Sequence, residues 1–296
     1  MELRVLEYFL TVAREENITR AAEVLHITQP TLSRQLTELE AELGTPLLIR
    51  GKKRTELTEE GLLLRRRAEE LLELSEKTKR EINSAHNEIS GMVSIGAAEC
   101  SAVRALPELM QRFCPQYPKV RFELLSGNAD QIKERLDNGL LDVGLLVEPI
   151  NLGKYEYVHL PYPDRWGVLM RSDDPLAKKE HITVEDLRPL PVLISGRFML
   201  QGEFVEYFGS QNWWQTLNIF STYNLISNAA ELVAHGLGYA VCIDGAVRHY
   251  GPTQFCFRPL FPELTIDAVL IWQKWQRFSP AATKFIEEVK MLFGHN

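Results

Sequence analysis

Arg34 and its neighbours carry the clearest chemistry in this sequence. From Gln29 to Leu43, a spacing of about 100° per residue puts Leu32, Leu36, Leu39 and Leu43 on one stripe. Pro30, Arg34, Thr37 and Ala41 lie opposite, flanked by Thr31 and Ser33. That outer face is short, polar and free of acid at its N-terminal end; Glu38, Glu40 and Glu42 follow only later. Small polar side chains can approach base edges in a major groove, an arginine can grip guanine, and a helix N-terminus favours phosphate. The cluster Arg50-Gly51-Lys52-Lys53-Arg54 suits a flanking DNA backbone or a minor groove. The bland alternatives are a three-helix protein-interaction module and a solvated basic turn. The helix spacing together with the basic turn favours the DNA-reading form.

The other reactive residue types do not assemble. Cys100, Cys114, Cys242 and Cys256 show neither C-x-x-C nor metal-ligand spacing, and read as free, mostly buried thiols. A thiol sensor is the alternative, with Cys242 and Cys256 in the right half for it. Neither has Lys, Arg or His in the next position to favour thiolate. The seven histidines are scattered and form no metal-type pair. The glycines of Gly236-Leu237-Gly238 follow an expected helix and precede an expected strand, the wrong order for a phosphate cradle. No G-x-S-x-G elbow occurs. No catalytic residue, metal site or cofactor is therefore expected. An α/β enzyme with an appended DNA-binding module stays open as the competing class, because constellations distant in sequence are invisible to spacing.

The chain has 296 residues, 45% hydrophobic and 25% charged, which suggests two or three globular domains and excludes a disordered or disulfide-framework protein. No apolar run approaches the roughly 20 residues of a membrane span. Met1-Glu2-Leu3-Arg4 does not resemble a signal peptide, so no membrane partner and a cytoplasmic location are expected. The net charge of −7 argues globally against nucleic acid. Residues 1–67, however, hold eleven Lys/Arg and eleven Asp/Glu, so the acidic excess lies in the remainder.

Three helices are expected to position the reading face. The first spans 3–15 with Leu3, Leu6, Leu10 and Ala13 inward, the second is capped by Thr19, and the third is capped by Thr28 and ended by Gly44. Short strands at 47–50 and 55–57 form a hairpin wing. Thr58 caps a long helix to about residue 90, with a seam at Leu64, Ala68, Leu71, Ser75, Thr78, Ile82, Ala85 and Ile89 in coiled-coil spacing. Leu64, Leu71 and Ile82 are its expected dimerisation residues. Beyond 91 the pattern alternates. Strands are expected at 93–96, 119–125, 142–147, 155–159, 166–170, 192–194, 216–220, 239–243, 255–258 and 268–272. Helices are expected at 102–113, 130–138, 204–213, 225–235 and 281–293. This gives two Rossmann-like α/β subdomains joined by two crossing strands.

The run Thr19-Arg20-Ala21-Ala22-Glu23-Val24-Leu25-His26-Ile27-Thr28-Gln29-Pro30-Thr31-Leu32-Ser33-Arg34-Gln35-Leu36 resembles the N-terminal signature of LysR-type transcriptional regulators. Leu39-Glu40, Leu43-Gly44, Leu47-Leu48-Ile49-Arg50 and Leu57-Thr58-Glu59-Glu60-Gly61 continue the similarity. Ile49 departs from it where an aromatic is usual, which should affect only packing. The resemblance implies a winged helix-turn-helix domain at 1–58, a linker and dimerisation helix at 59–90, and an effector domain at 91–296 shaped like a periplasmic binding protein. Its subdomains would be about 91–160 with 266–296, and about 161–265. It implies a dimer, often a tetramer, on double-stranded operator DNA, with RNA polymerase open as a further partner. Gln29, Pro30, Thr31, Ser33 and Arg34 would meet the operator. Thr19 and Thr28 would touch the backbone, and Arg50, Lys52 and Lys53 would serve the wing.

Open α/β sheets bind ligands outside the carboxyl ends of their strands. Three such ends are readable: Gly96 to Ser101, Ser126-Gly127-Asn128 and Ser195-Gly196-Arg197. Ser101, Asn128 and Ser195 are expected to hydrogen-bond a small effector beside Gly127, with Arg197 as counter-ion to an organic anion or amino acid. The resemblance puts a hydroxyl residue near Ser101 as first contact, or Cys100 in its place. Glu99 would repel an anion or select a zwitterion. Ser101, Asn128 and Ser195 as plain caps and turn residues is the competing reading.

Overall fold

A computed structural model describes the chain except for residues 52–53, 84–88, 197–203, 205–212 and 295–296, with backbone alone at 80, 81, 83, 213 and 214. Lys52, Lys53, Arg197, Ala85 and most of the helix expected over 204–213 lie outside the described residues. The chain divides into two compact units, Met1–Asn83 and Ser84–Asn296. Among the described residues no helix is long and apolar enough to cross a membrane.

The first unit opens with α1 (Leu3–Glu15), α2 (Ile18–Val24) and α3 (Gln29–Leu43). α1 buries Val5, Leu6, Phe9 and Val12, while Leu3 is exposed, so its inner face is turned from the expected one. Asn17, not Thr19, caps α2, accepting from the Arg20 N–H at 3.0 Å. Asparagine is among the strongest N-caps, and it starts the helix two residues earlier. Thr28 caps α3 as expected, and Pro30 falls in its first turn. Leu32, Leu36 and Leu39 pack onto Phe9, Val12, Ala21 and Ala22, but Leu43 at the end of α3 is exposed. β1 (Leu48–Arg50) and β2 (Thr55–Leu57) pair antiparallel as the wing.

α4 (Glu59–Asn83) starts at Thr58, whose hydroxyl accepts from the Gly61 N–H at 2.9 Å. A side chain at Gly61 would drive into the Leu47 carbonyl, so glycine there lets α4 leave the wing at close range. The helix turns Gly61 and Ala68 inward with Leu64 beside them, and packs along α1. Leu64 thus belongs to the domain's own core and not simply to an outer seam. Leu71 and Ile82 are exposed, as are Leu63 and Leu74. Ile89 is no part of a helix; it packs against the core of the second unit.

In the second unit β3 (Gly91–Ala97) pairs parallel with β4 (Val120–Ser126) and β5 (Val143–Val147). The connections are a 3-10 turn at Ser101–Arg104 running into α5 (Ala105–Phe113), and α6 (Ala129–Asp137). β7 (Pro191–Ser195) pairs parallel with β8 (Asn218–Tyr223) and β9 (Tyr239–Ile243), with the helix Ile226–Ala234 between the last two. The two strands expected at 155–159 and 166–170 are one strand, β6 (Tyr155–Arg171). Its first part pairs with β11 (Thr265–Gln273), its last part with β9 and with β10 (Phe255–Pro259). Pro161 and Pro163 fall where the pairing with β11 shifts register, between Leu160 and Asp164, and a strand tolerates proline at such an irregularity. β11 also pairs with β5, closing the first half. The helix Pro280–Phe293 returns to that half, where Phe285 meets Phe113 and Phe122 edge-on at 5.5 and 5.4 Å.

Candidate DNA-reading face and ligand cleft

The N-terminal half of α3 presents Thr28, Gln29, Pro30, Thr31 and Arg34 to solvent, with Ser33 half-buried beside them and Thr19 exposed on α2. The Arg34 side chain is 79% exposed, and its Nε donates to Glu38 Oε1 at 2.8 Å. Glu38 raises the guanidinium pKa by that hydrogen bond and by charge. The same carboxylate accepts from Gln35 at 2.9 Å. Glu38 therefore steers Arg34 along the helix, and a guanine edge would have to draw it away.

Arg50 is less free than a wing-tip cation. It donates to Thr37 Oγ1 and to Glu40 Oε2, both at 3.1 Å, tying β1 to the middle of α3. Glu40 Oε1 in turn accepts the N–H groups of Leu47 (2.9 Å) and Leu48 (3.1 Å). The spacing of these residues shows no sign of this clamp. Ile49 is exposed, so its departure from an aromatic leaves the domain's core untouched.

In the second unit, a cleft of about 710 Å³, counted to its open mouth, lies at the carboxyl ends of β3, β4, β7 and β9. Gly127, Asn128 and Ser195 line it, as expected. Asn128 also caps α6, accepting from Gln131 N–H at 2.9 Å, so the cap reading and the lining reading both hold for it. Ser101 and Cys100 do not line it. Ser101 is drawn into a junction: its N–H donates to Asp164 Oδ2 at 2.9 Å, while Asp164 Oδ1 accepts from the Gly245 N–H at 2.7 Å. Burial pushes the Asp164 carboxyl up to about 6; the Ser101 contacts pull it down and neighbouring Asp244 pushes it further up. Asp164, on β6, so binds a loop of each half. Cys100 is buried and faces a neighbouring cavity with Val103, Leu106 and Arg248. Its thiol is pushed up to about 12, first by burial and then by Asp164.

Residues unforeseen from sequence complete the cleft: Trp166, Tyr223, Asn224, Ile226 and Cys242. Tyr223 donates to the Val241 carbonyl at 2.6 Å. Glu99 lines the cleft too, its Oε2 accepting from the Ile226 N–H at 2.9 Å. Cys242 is fully buried and burial raises its thiol pKa, which works against a reactive thiolate. Among the described residues no group of three His, Cys, Asp or Glu could hold a metal ion.

Residues 3–62 match the model of the bacterial regulatory helix-turn-helix protein, lysR family, and residues 86–293 that of the LysR substrate binding domain. The chain is 32% identical over 294 residues to the Hca operon transcriptional activator HcaR of Escherichia coli (strain K12), covering 98% of this chain and 97% of that protein. It is 30% identical over 298 residues to the HTH-type transcriptional regulator YvbU of Bacillus subtilis (strain 168), covering 99% of each. The fold is similar to that of full-length CbnR complexed with its target DNA, with a TM-score of 0.74, 22% identity and coverage of 98% of this chain and 99% of that one. These relatives are named as transcriptional regulators, which does not favour the enzyme reading. A winged reading head with an acid-free helix start and an α/β domain with a cleft at its strand ends thus go with whole-length similarity to regulators: the chain belongs to the LysR family, as a DNA-binding transcriptional regulator with an effector-binding domain.

Proposed function

We propose that the chain reads its operator with the first two turns of α3 and that a small molecule in the cleft of the second unit modulates that binding. The observation that carries the first part is the exposed run Thr28, Gln29, Pro30, Thr31 and Arg34, with Ser33 beside it. Thr19 and the Thr28 hydroxyl are assigned to phosphates. Lys52 and Lys53 are assigned to the flanking backbone, and Arg50 to holding the wing in register for them. Gly127, Asn128 and Ser195 are assigned to the effector, joined by Arg197 from its place after β7. The protein works in the cytoplasm, where its DNA is, and RNA polymerase is a further partner.

Arg34→Ala is expected to weaken the specific site about five- to hundredfold and to relax base preference at one position. Lys52→Ala should weaken all DNA about equally and flatten the salt slope. Gel-shift titrations at several ionic strengths separate the two. Unchanged operator affinity and base preference in Arg34→Ala would put the reading face elsewhere.

Two copies are held together by the outer side of α4, with Leu71 and Ile82 at its centre and Leu64 supporting it from inside; effector-domain contacts build tetramers. Paired reading heads require an interrupted inverted repeat, half-sites lying about one helical turn or a multiple apart. Leu71→Glu puts like charges into the pairing face and is expected to shift residues 1–90 from dimer to monomer in sedimentation. A dimer that persists unchanged removes this side of α4 as the pairing surface.

A further inference from the structure

Among its described residues the ligand cleft carries charge of one sign only. Among its described lining residues, Glu99 alone carries a formal charge. Val147, Trp166, Leu225 and Ile243 make the wall apolar, and Asn128 and Ser195 add neutral polar groups. The first N–H groups of a helix carry partial positive charge and are the natural seat for a ligand carboxylate. At the helix Ile226–Ala234 the first of these N–H groups is already taken. Leu225, its N-cap residue, supplies no side-chain cap, and Glu99 reaches over from the loop after β3 to accept from Ile226 N–H at 2.9 Å. Glu99 Oε1 has no partner among the described residues. The field of this carboxylate is felt around it: after burial, Glu99 is among the charges that push Tyr223, Cys242 and Tyr250 upward.

We propose that Glu99 sets the charge selectivity of the cleft: it caps the facing helix itself, accepts the ammonium group of a ligand with an apolar body, and turns away simple carboxylates. The ligand class is an organic amine or the amino end of a zwitterion. A carboxylate at the start of this helix would meet a like charge and compete with Glu99 for the Ile226 N–H. An ammonium gains a charge-assisted hydrogen bond from the free oxygen while the body lies against Trp166 and Ile243. The same bond joins the loop after β3 to a helix of the other half. This inference rests on the reading of the cleft as the effector site.

Three probes of equal length test it on the full chain: pentylammonium, pentanoate and pentan-1-ol. Hydrogen exchange of the peptides spanning residues 96–101 and 222–229 is followed against probe concentration, in wild type and in Glu99→Gln. The glutamine keeps an acceptor oxygen for Ile226 while losing the charge. In wild type, pentylammonium is expected to protect these peptides at about tenfold lower concentration than pentanoate. In Glu99→Gln that preference should disappear or reverse. Pentanoate acting at equal or lower concentration than pentylammonium in wild type overturns the proposal, as does a preference that survives in Glu99→Gln. Protection by none of the three in either protein is a different failure: it removes the cleft as the ligand site, and the selectivity with it.

Discussion

Gly245→Ala is expected to lower the stability of the ligand-binding domain by about 3 kcal/mol, the sum of an overpacked core and loosened bonds to a buried carboxylate. The cause is space. A Cβ at Gly245 would lie 2.7 Å from the Cys100 carbonyl carbon and closer still to Ser101 N and Asp164 Oδ1. None of the three can retreat cheaply, because Ser101 N–H and Gly245 N–H both donate to Asp164. Moving either loop leaves a buried carboxylate short of a donor. For a domain of this size each kcal/mol shifts Tm by roughly 2–4 °C, so a fall of about 6–12 °C is expected in thermal unfolding. Gly196→Ala is the control, since a Cβ there meets nothing within 4 Å. Equal melting of the two variants would show that the junction gives way without cost.

Glu40→Ala is expected to destabilise the winged unit by about 2–3 kcal/mol, because two backbone donors and a guanidinium lose one acceptor together. The Glu40 side chain is only 17% exposed, so water replaces it poorly for Leu47 and Leu48 N–H. Arg50, freed from Oε2, no longer ties β1 to α3. DNA affinity should fall for all sequences alike, through a misplaced wing, whereas Arg34→Ala changes which base is preferred. Glu40→Gln keeps a carbonyl oxygen and should lose less. Urea unfolding of the three proteins, read beside gel shifts, decides the matter: wild-type stability in Glu40→Ala removes the clamp.

Local signals made the reading head legible. The leucine stripe of α3, the Thr28 cap, Pro30 in the first turn and Gly44 at the end each rest on neighbours within a few residues, and each holds except at Leu43. Thr19 misled because Asn17, a better cap, stood just ahead of it. The alternation beyond residue 91 was legible for the same reason, apart from the β6 prolines. The cleft was legible only in outline. Asn128 and Ser195 follow their strands and line it as expected. Ser101 looked equally suitable, yet its partner Asp164 lies 63 residues on, and Gly245 another 81 beyond that. Glu99 and Ile226 are 127 residues apart. Spacing shows a carboxylate or a helix start, but not that the fold will bring one to the other. The Glu40 clamp hid for a simpler reason: a glutamate on the outer half of an amphipathic helix reads as solvated charge.

The return of β11 and the last helix to the half that opened the domain has a consequence for synthesis on the ribosome. β7, β8, β9 and β10, with the far part of β6, are all in hand once Pro259 has emerged. β3, β4 and β5 emerge first, and β5 pairs with β3, but it lacks its second partner until Thr265–Gln273 arrives. Some 120 residues separate Val147 from Thr265, roughly 6–24 s of translation at about 5–20 residues per second. Through that interval β5 offers a bare, apolar edge, the kind that pairs with neighbouring chains. The half made first is thus the last to be sealed. A nascent chain stalled before residue 265, or one clipped near its C-terminus, would expose its oldest strands rather than its newest.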